Sequence, residues 1–156
     1  MAATTFAPEI RVVLKWAQGE ATRLRSWYVG PEHILLGLAR RGEPFLSRGL
    51  QVDLGQMRQT VERAVENARE SSGLPVGAAT DPCLPYTMLA KKVLESAMLQ
   101  ARERSRGSAM VDEGDLLLGL LREGRGIAAQ VLTDMGLTHK AVQAKLWVQP
   151  RDGVAR

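Results

Sequence analysis

Aromatic residues are scarce in this sequence: Phe, Trp and Tyr together make up 4% of its 156 residues. Because hydrophobic residues of all kinds still reach 45%, the interior must be filled mainly by aliphatic side chains and alanine. Strands favour aromatic and β-branched residues, whereas alanine and leucine are strong helix formers. The composition therefore favours helix-on-helix packing, an all-α fold, over a β-sandwich.

Cysteine and long apolar runs are also rare. The single cysteine, Cys83, has no partner for an internal disulfide, which indicates a reducing compartment. No apolar stretch approaches the roughly 20 residues that cross a bilayer. The segment Met1–Phe6 holds neither the basic cluster nor the apolar run of a signal peptide. We therefore expect a cytoplasmic protein without a membrane partner.

Residues suited to catalysis or metal binding are few, with two histidines and one cysteine in the chain. None of the spacings H-E-x-x-H, C-x-x-C or G-x-S-x-G occurs, and the phosphate loop G-x-x-x-x-G-K-[ST] is missing as well. The sequence therefore predicts no catalytic residues, no metal, no cofactor and no enzymatic activity.

The net charge of +4 is spread over the chain, with arginine and lysine interleaved among acidic residues. This pattern is typical of a solvated helical surface. The charge-based rival is a small basic nucleic-acid-binding protein, supported by the cluster of Arg102, Arg104 and Arg106 near the end of a predicted helix. Cations at that position also complement the helix dipole, which is the simpler interpretation.

The first half of the chain carries helical periodicity. Apolar residues at spacings of three and four predict a helix over Pro8–Arg25. A second helix starts at Gly30 and stops at Gly42, and a short one follows around Phe45–Leu50. Asp53 is placed to cap a longer fourth helix.

A stretch rich in glycine, proline and serine then interrupts the pattern, and residues 71–83 are predicted to form an exposed linker. Four further helices are predicted after it. Thr87 caps the first, Asp112 the second and Thr138 the last, and Ile127–Met135 forms the third. We therefore divide residues 1–156 into repeat one (about 5–70), the linker, repeat two (about 84–148) and a tail (149–156).

The two halves repeat one another. Phe6 matches Tyr86 at an offset of 80 (86 − 6), and the offset becomes 82 from Val29, which matches Val111 (111 − 29). The same Leu-Leu-Gly-Leu run then occurs at residues 35–38 and 117–120. Two copies of one unit would cover each other's apolar faces, so we expect tandem four-helix repeats packed about a pseudo-two-fold axis.

These residues carry a family resemblance. The run from Val29 to Leu38 (VGPEHILLGL) resembles the Gly-Thr-Glu-His-Ile-Leu-Leu-Gly-Leu signature of the Clp N-terminal repeat. The segments Arg122–Leu132 and Ala90–Glu95 are similar to its continuation and to the start of the second repeat in ClpC-type unfoldases. The resemblance covers about residues 5–148. Family members usually carry this domain ahead of two ATPase modules. Since no phosphate loop is present, we expect a free-standing domain.

The resemblance implies a binding function. In the family, this domain receives adaptor proteins and damaged or tagged substrates, and ClpC-type repeats also hold phosphorylated arginine through the signature Glu and Thr. Glu32 matches the Glu of the first repeat, but Pro31 replaces its Thr, and Gly114 stands where the second repeat should have Glu. We therefore expect both phosphoarginine pockets to be weakened or lost, with Glu32 as the residual candidate.

The family has a second binding surface around the first helices of the two repeats. The matching positions, called the groove below, are Arg11, Lys15, Gln18, Tyr86, Lys91 and Glu95. The resemblance implies a peptide, an adaptor or a cyclic peptide that targets ClpC as the ligand. The alternative is a sequestration protein that competes with full-length ClpC for such an antibiotic. This sequence is rich in Ala, Gly and Arg, a composition typical of the high-GC actinobacteria in which such peptides are made.

Overall fold

Helices occupy most of the chain. The computed structural model describes residues 5–41, 51–72, 84–105, 110–124 and 126–148. Two two-residue strands also lie in these ranges, β1 (Thr5–Phe6) and β2 (Met110–Val111). The helices are α1 (Pro8–Arg23), α2 (Pro31–Arg41), α3 (Leu54–Ser72), α4 (Met88–Ser105), α5 (Glu113–Glu123), α6 (Gly126–Asp134) and α7 (His139–Val148). The predicted all-α fold is confirmed.

The helix starts follow the predicted capping residues. Asp53, Thr87 and Thr138 each accept a backbone N–H from the residue three positions later, at distances between 3.0 and 3.2 Å. Each bond satisfies a donor that the first turn of a helix leaves without an intrahelical partner. Short polar side chains therefore determine where α3, α4 and α7 begin.

Some helix ends differ from the sequence prediction. α1 ends at Arg23 rather than Arg25, and α3 continues to Ser72, so the first two residues of the predicted linker are helical. The predicted stop at Gly42 and the short helix around Phe45–Leu50 lie outside the described residues. Residues 73–83 of the linker and the tail (149–156) lie outside them as well.

Short parallel strand contacts join the two repeats about the pseudo-two-fold axis. Phe6 pairs with Val111 in β1 and β2, and Tyr86 forms a parallel bridge with Val29. The offsets of 80 and 82 convert one pair into the other. Hydrogen bonds repeat the relation, since the N–H of Ala7 donates to the Val111 carbonyl and that of Thr87 to the Val29 carbonyl, each at 3.0 Å. The segment before each first helix is therefore bonded to the other repeat.

The glycine of each Leu-Leu-Gly-Leu run marks a close helix crossing. A Cβ atom at Gly37 would lie 2.5 Å from the Val13 carbonyl oxygen, and one at Gly119 would lie 2.7 Å from that of Val93. α2 therefore packs directly on the backbone of α1, and α5 on that of α4. α6 contacts α2 and α3 as well as α5, so a helix of repeat two packs on repeat one. The buried residues form one cluster that spans both repeats.

Gly37→Ala is expected to destabilise the domain by about 2–3 kcal/mol, because a methyl group cannot fit against the backbone of α1 without separating the helices. Gly19→Ala is the matched control. Gly19 lies exposed within α1, and a methyl group added there would meet nothing within 4 Å, so this change should stabilise the helix by up to about 1 kcal/mol. Urea unfolding measures both. Equal midpoints for Gly37→Ala and the unsubstituted chain would contradict the close packing.

Candidate functional site

Three groove residues lie along one face of α1. Arg11, Lys15 and Gln18 are spaced by four and three residues, which places them on successive turns. The side chains of Arg11 and Lys15 are exposed and make no ion pair or hydrogen bond within the described part of the chain. Gln18 differs, since its Nε2 donates to the Leu84 carbonyl at 3.0 Å and its Oε1 accepts from the Leu84 N–H at 2.8 Å. Its amide therefore holds repeat two against α1.

The other three groove residues belong to repeat two. Tyr86 precedes α4, where its backbone pairs with Val29 and its half-buried side chain packs against the core. Lys91 and Glu95 follow on one exposed face of α4. The offset of 80 relates Lys91 to Arg11 and Glu95 to Lys15. The two helices thus present related positions, with opposite charges at the second pair.

The structure brings Gln18 and Tyr86 to the same junction of the repeats, through the Leu84 hydrogen bonds and the Val29 bridge. The charged groove residues lie on exposed faces of α1 and α4. Among the described contacts, no ion pair joins the charged groups of one helix to those of the other. The surface can therefore offer hydrogen bonds and charge from both repeats to a ligand beside one aromatic side chain.

The start of α2 carries the residual phosphoarginine candidate. The Glu32 carboxylate folds back over Gly30, where a Cβ atom would lie 2.6 Å from Oε1. Burial raises the pKa of Glu32, while a hydrogen bond from its own backbone opposes the rise. No described cation pairs with this carboxylate. Pro31 lacks an N–H, and so the carboxylate is the main polar group that α2 presents here.

The start of α5 is arranged differently. Asp112 and Asp115 form a capping box in which each side chain accepts the other's backbone N–H, at 2.9 and 3.1 Å. Glu113, at the position of the family's Thr, lies 3.1 Å from the Arg41 guanidinium of repeat one. Three carboxylates therefore occupy the helix start, where an anionic ligand would meet repulsion.

His33 has a structural role at the start of α2. It is fully buried, its Nδ1 accepts the Gly30 N–H at 3.0 Å, and its Nε2 lies 3.1 Å from the Ser26 hydroxyl. Because Nδ1 accepts, the ring proton is on Nε2 and points to Ser26. Burial lowers the pKa of His33 to about 4; the negative charge of Glu20 opposes this shift, and the positive charge of Arg69 adds to it. At the offset of 82, Gly30 and His33 correspond to Asp112 and Asp115, which form the capping box of α5.

A buried ion cluster at the junction of α1 and α3 was not predicted from the sequence. The Glu20 carboxylate is only 2% exposed and accepts hydrogen bonds from Arg58 at 3.0 Å and from Arg23 at 2.7 Å. Burial opposes the charged form of Glu20, but the two arginines outweigh it and its pKa falls below the ordinary range. Arg23 also pairs with Glu62 of α3. These ion pairs hold α3 against α1. The only feature of the sequence that could have indicated the cluster was Glu20, a glutamate one residue before the apolar Ala21.

The described residues also bear on metal binding, membrane insertion and the predicted basic cluster. Among the described residues, no group of three histidines, cysteines or carboxylates is placed to hold a metal ion, and no helix is long and apolar enough to cross a membrane. Of the predicted basic cluster, Arg102 is exposed on α4, whereas the side chain of Arg104 and all of Arg106 lie outside the description.

Comparison with known proteins places this geometry in a family. Residues 5–135 match the model of the Clp repeat (R) N-terminal domain. The chain is 39% identical over 142 residues to the "Negative regulator of genetic competence ClpC/MecB" of Bacillus subtilis (strain 168), a match that covers 90% of the chain. It spans 16% of the length of that relative.

Solved structures agree on the fold. The N-terminal domain of the chaperone ClpD from Arabidopsis thaliana matches with a TM-score of 0.64 and 20% identity, covering 92% of both chains. The Hsp104 N-terminal domain from Candida albicans matches with a TM-score of 0.67 and 15% identity, covering 90% of this chain and 88% of that one. At such identities the likeness establishes the fold alone.

The buried His33 predicts a pH-dependent stability. Its folded pKa of about 4 lies below the unfolded value near 6.5, so the neutral ring stabilises the fold fully above the unfolded value. That stability is lost as the pH falls toward the folded pKa, by about 2 kcal/mol between pH 7 and pH 5. Asn at residue 33 keeps a hydrogen-bond acceptor but does not titrate. The free energy of unfolding of His33→Asn should therefore fall by about 2 kcal/mol less than that of the unsubstituted chain over the same pH interval. Urea unfolding at both pH values measures the difference, and identical losses would contradict it.

Proposed function

We propose a function from the premise that this chain belongs to the Clp repeat (R) N-terminal domain family: it is a non-catalytic module that binds a peptide, an adaptor protein or a cyclic peptide that targets ClpC. The proposed site is the groove defined above. Arg11 and Lys91 are exposed at symmetry-related positions on α1 and α4 and make no ion pair within the described residues, and this observation, with Tyr86 just before α4, carries the proposal. A compact ligand would contact the aromatic ring while the flanking side chains fix its orientation.

The two signature sites support the groove by their own geometry. At α5, Asp112, Asp115 and Glu113 fill the helix start with carboxylates, and Arg41 of repeat one already pairs with Glu113. At α2, Glu32 remains available for a guanidinium, but Pro31 offers neither a hydroxyl nor an N–H to a phosphate. A phosphoarginine therefore meets an incomplete site in repeat one and a repulsive one in repeat two.

Tyr86→Ala should weaken a cyclic peptide that targets ClpC by roughly thirtyfold, which corresponds to about 2 kcal/mol for truncating a central aromatic contact. Glu32→Ala should leave that affinity nearly unchanged, because the Glu32 carboxylate folds back over Gly30 and makes no described contact with a groove residue. Calorimetry on both variants measures the affinities, and a thermal melt checks that each is folded. Loss of binding in Glu32→Ala with full binding in Tyr86→Ala would place the site on the other surface.

Binding measurements with a cyclic peptide, an adaptor protein and duplex DNA distinguish the alternative functions. A cyclic peptide bound as tightly here as by the matching domain of full-length ClpC would support sequestration of the antibiotic. Binding of an adaptor protein without the cyclic peptide would support a role in substrate reception. Binding of duplex DNA alone would support the nucleic-acid-binding alternative.

A further inference from the structure

A surface cavity lies on repeat one, between the end of α1 and the face of α3. It has a volume of about 210 Å³, and its lining combines two apolar side chains, Leu24 and Val65, with the three arginines Arg23, Arg25 and Arg69. None of the groove residues contributes to the lining. The cavity is therefore a separate feature of the first repeat.

The three arginines are not equivalent. Arg69 donates to the Leu24 carbonyl, and Arg23 is paired with Glu62. Arg25 is exposed and makes no ion pair or side-chain hydrogen bond within the described part of the chain. The cavity thus has one cation available to a ligand and two that maintain its walls.

The backbone of Arg25 is strained. Its φ of 58° is in the left-handed region, at the position after α1 where the N–H groups of Arg25 and Ser26 bond back to the carbonyls of Thr22 and Ala21. The same helix-ending arrangement follows α6, but there the left-handed residue is Gly136, which adopts that conformation without strain. Residue 25 is thus an arginine in a conformation that glycine would adopt without strain. Such strain is common at functional positions.

We infer that this cavity binds the carboxylate of an acidic side chain in an extended peptide, with Arg25 as its partner. Leu24 and Val65 suit apolar residues beside the carboxylate. Trp27 and Tyr28, two and three residues after Arg25, are 54% and 39% exposed, which is high for residue types that dominate binding hot spots. The inference extends the proposed peptide-binding function to a second surface, and it holds even if the groove binds nothing.

A single carboxylate fits the charges better than a polyphosphate. Glu62 and Glu66 also line the cavity, so the lining carries three positive and two negative charges. Glu62 is neutralised by Arg23 and Arg58, whereas Glu66 makes no ion pair within the described residues. A nucleic-acid backbone would bring several phosphates close to Glu66, but one aspartate can meet Arg25 alone.

The test is an NMR titration of the ¹⁵N-labelled full chain with the peptide acetyl-Ala-Leu-Asp-Leu-Ala-amide at millimolar concentration. Amide shifts are expected at residues 24–28 and 65–69, and the matched peptide with Asn for Asp should bind about tenfold more weakly, as for the loss of one ion pair. Lys91→Ala, an exposed change within the groove on α4, should leave these shifts unchanged. Absence of shifts, equal binding of the Asn peptide, or shifts induced only by a thymidine decamer would overturn the inference.

Two substitutions separate charge from strain. Arg25→Gly should raise the melting temperature by about 2–4 °C, since it relieves the left-handed conformation, yet weaken the Asp peptide at least about tenfold. Arg25→Ala should weaken the peptide equally without that thermal gain, because alanine keeps the strain. Full peptide binding by Arg25→Gly would overturn the inference. A lower melting temperature for Arg25→Gly would contradict the strain on which the inference rests.

Discussion

The hydrogen bonds between the segment before each first helix and the other repeat constrain everything else in this structure. Ala7 donates to Val111 and Thr87 donates to Val29, so the N-terminal end of α1 and that of α4 are each bonded to the other repeat. Separating the repeats would exchange these bonds for bonds to water and would expose the shared apolar cluster, whose burial is the larger stabilising contribution. These bonds also place Tyr86 against Val29 of repeat one.

Within this symmetric frame the two repeats have diverged in chemistry. The helix start of repeat one is organised by the neutral His33, and that of repeat two by the carboxylates of Asp112 and Asp115. Buried Glu20 of repeat one, with its arginines, corresponds at the offset of 80 to buried Gln100 of repeat two. The backbone geometry is thus retained while ionisable groups differ. A ligand of this domain would therefore meet two distinct halves, and a site on one repeat does not imply a second on the other.

Sequence reasoning succeeded where local chemistry decides the structure. Asp53, Thr87 and Thr138 cap helices because a side-chain oxygen reaches the N–H three residues on, a relation visible in the sequence. It missed the strand contacts because two-residue strands carry no periodicity. It also missed the Glu20 cluster, since Arg58 lies 38 residues away along the chain. The hydrogen bonds between the Gln18 amide and Leu84 could not be predicted either, because they depend on how the repeats pack.

The central claim is that the two repeats share a single core and are joined by backbone hydrogen bonds between them. Native-state hydrogen exchange of the Ala7 and Thr87 amides tests this claim. The account predicts that both amides exchange only through global unfolding, with the same free energy and denaturant dependence as the buried amides of α2 and α5. Exchange of either amide at a much lower free energy, while the helices of both repeats stay protected, would mean that the repeats separate before they unfold. That result would contradict the account.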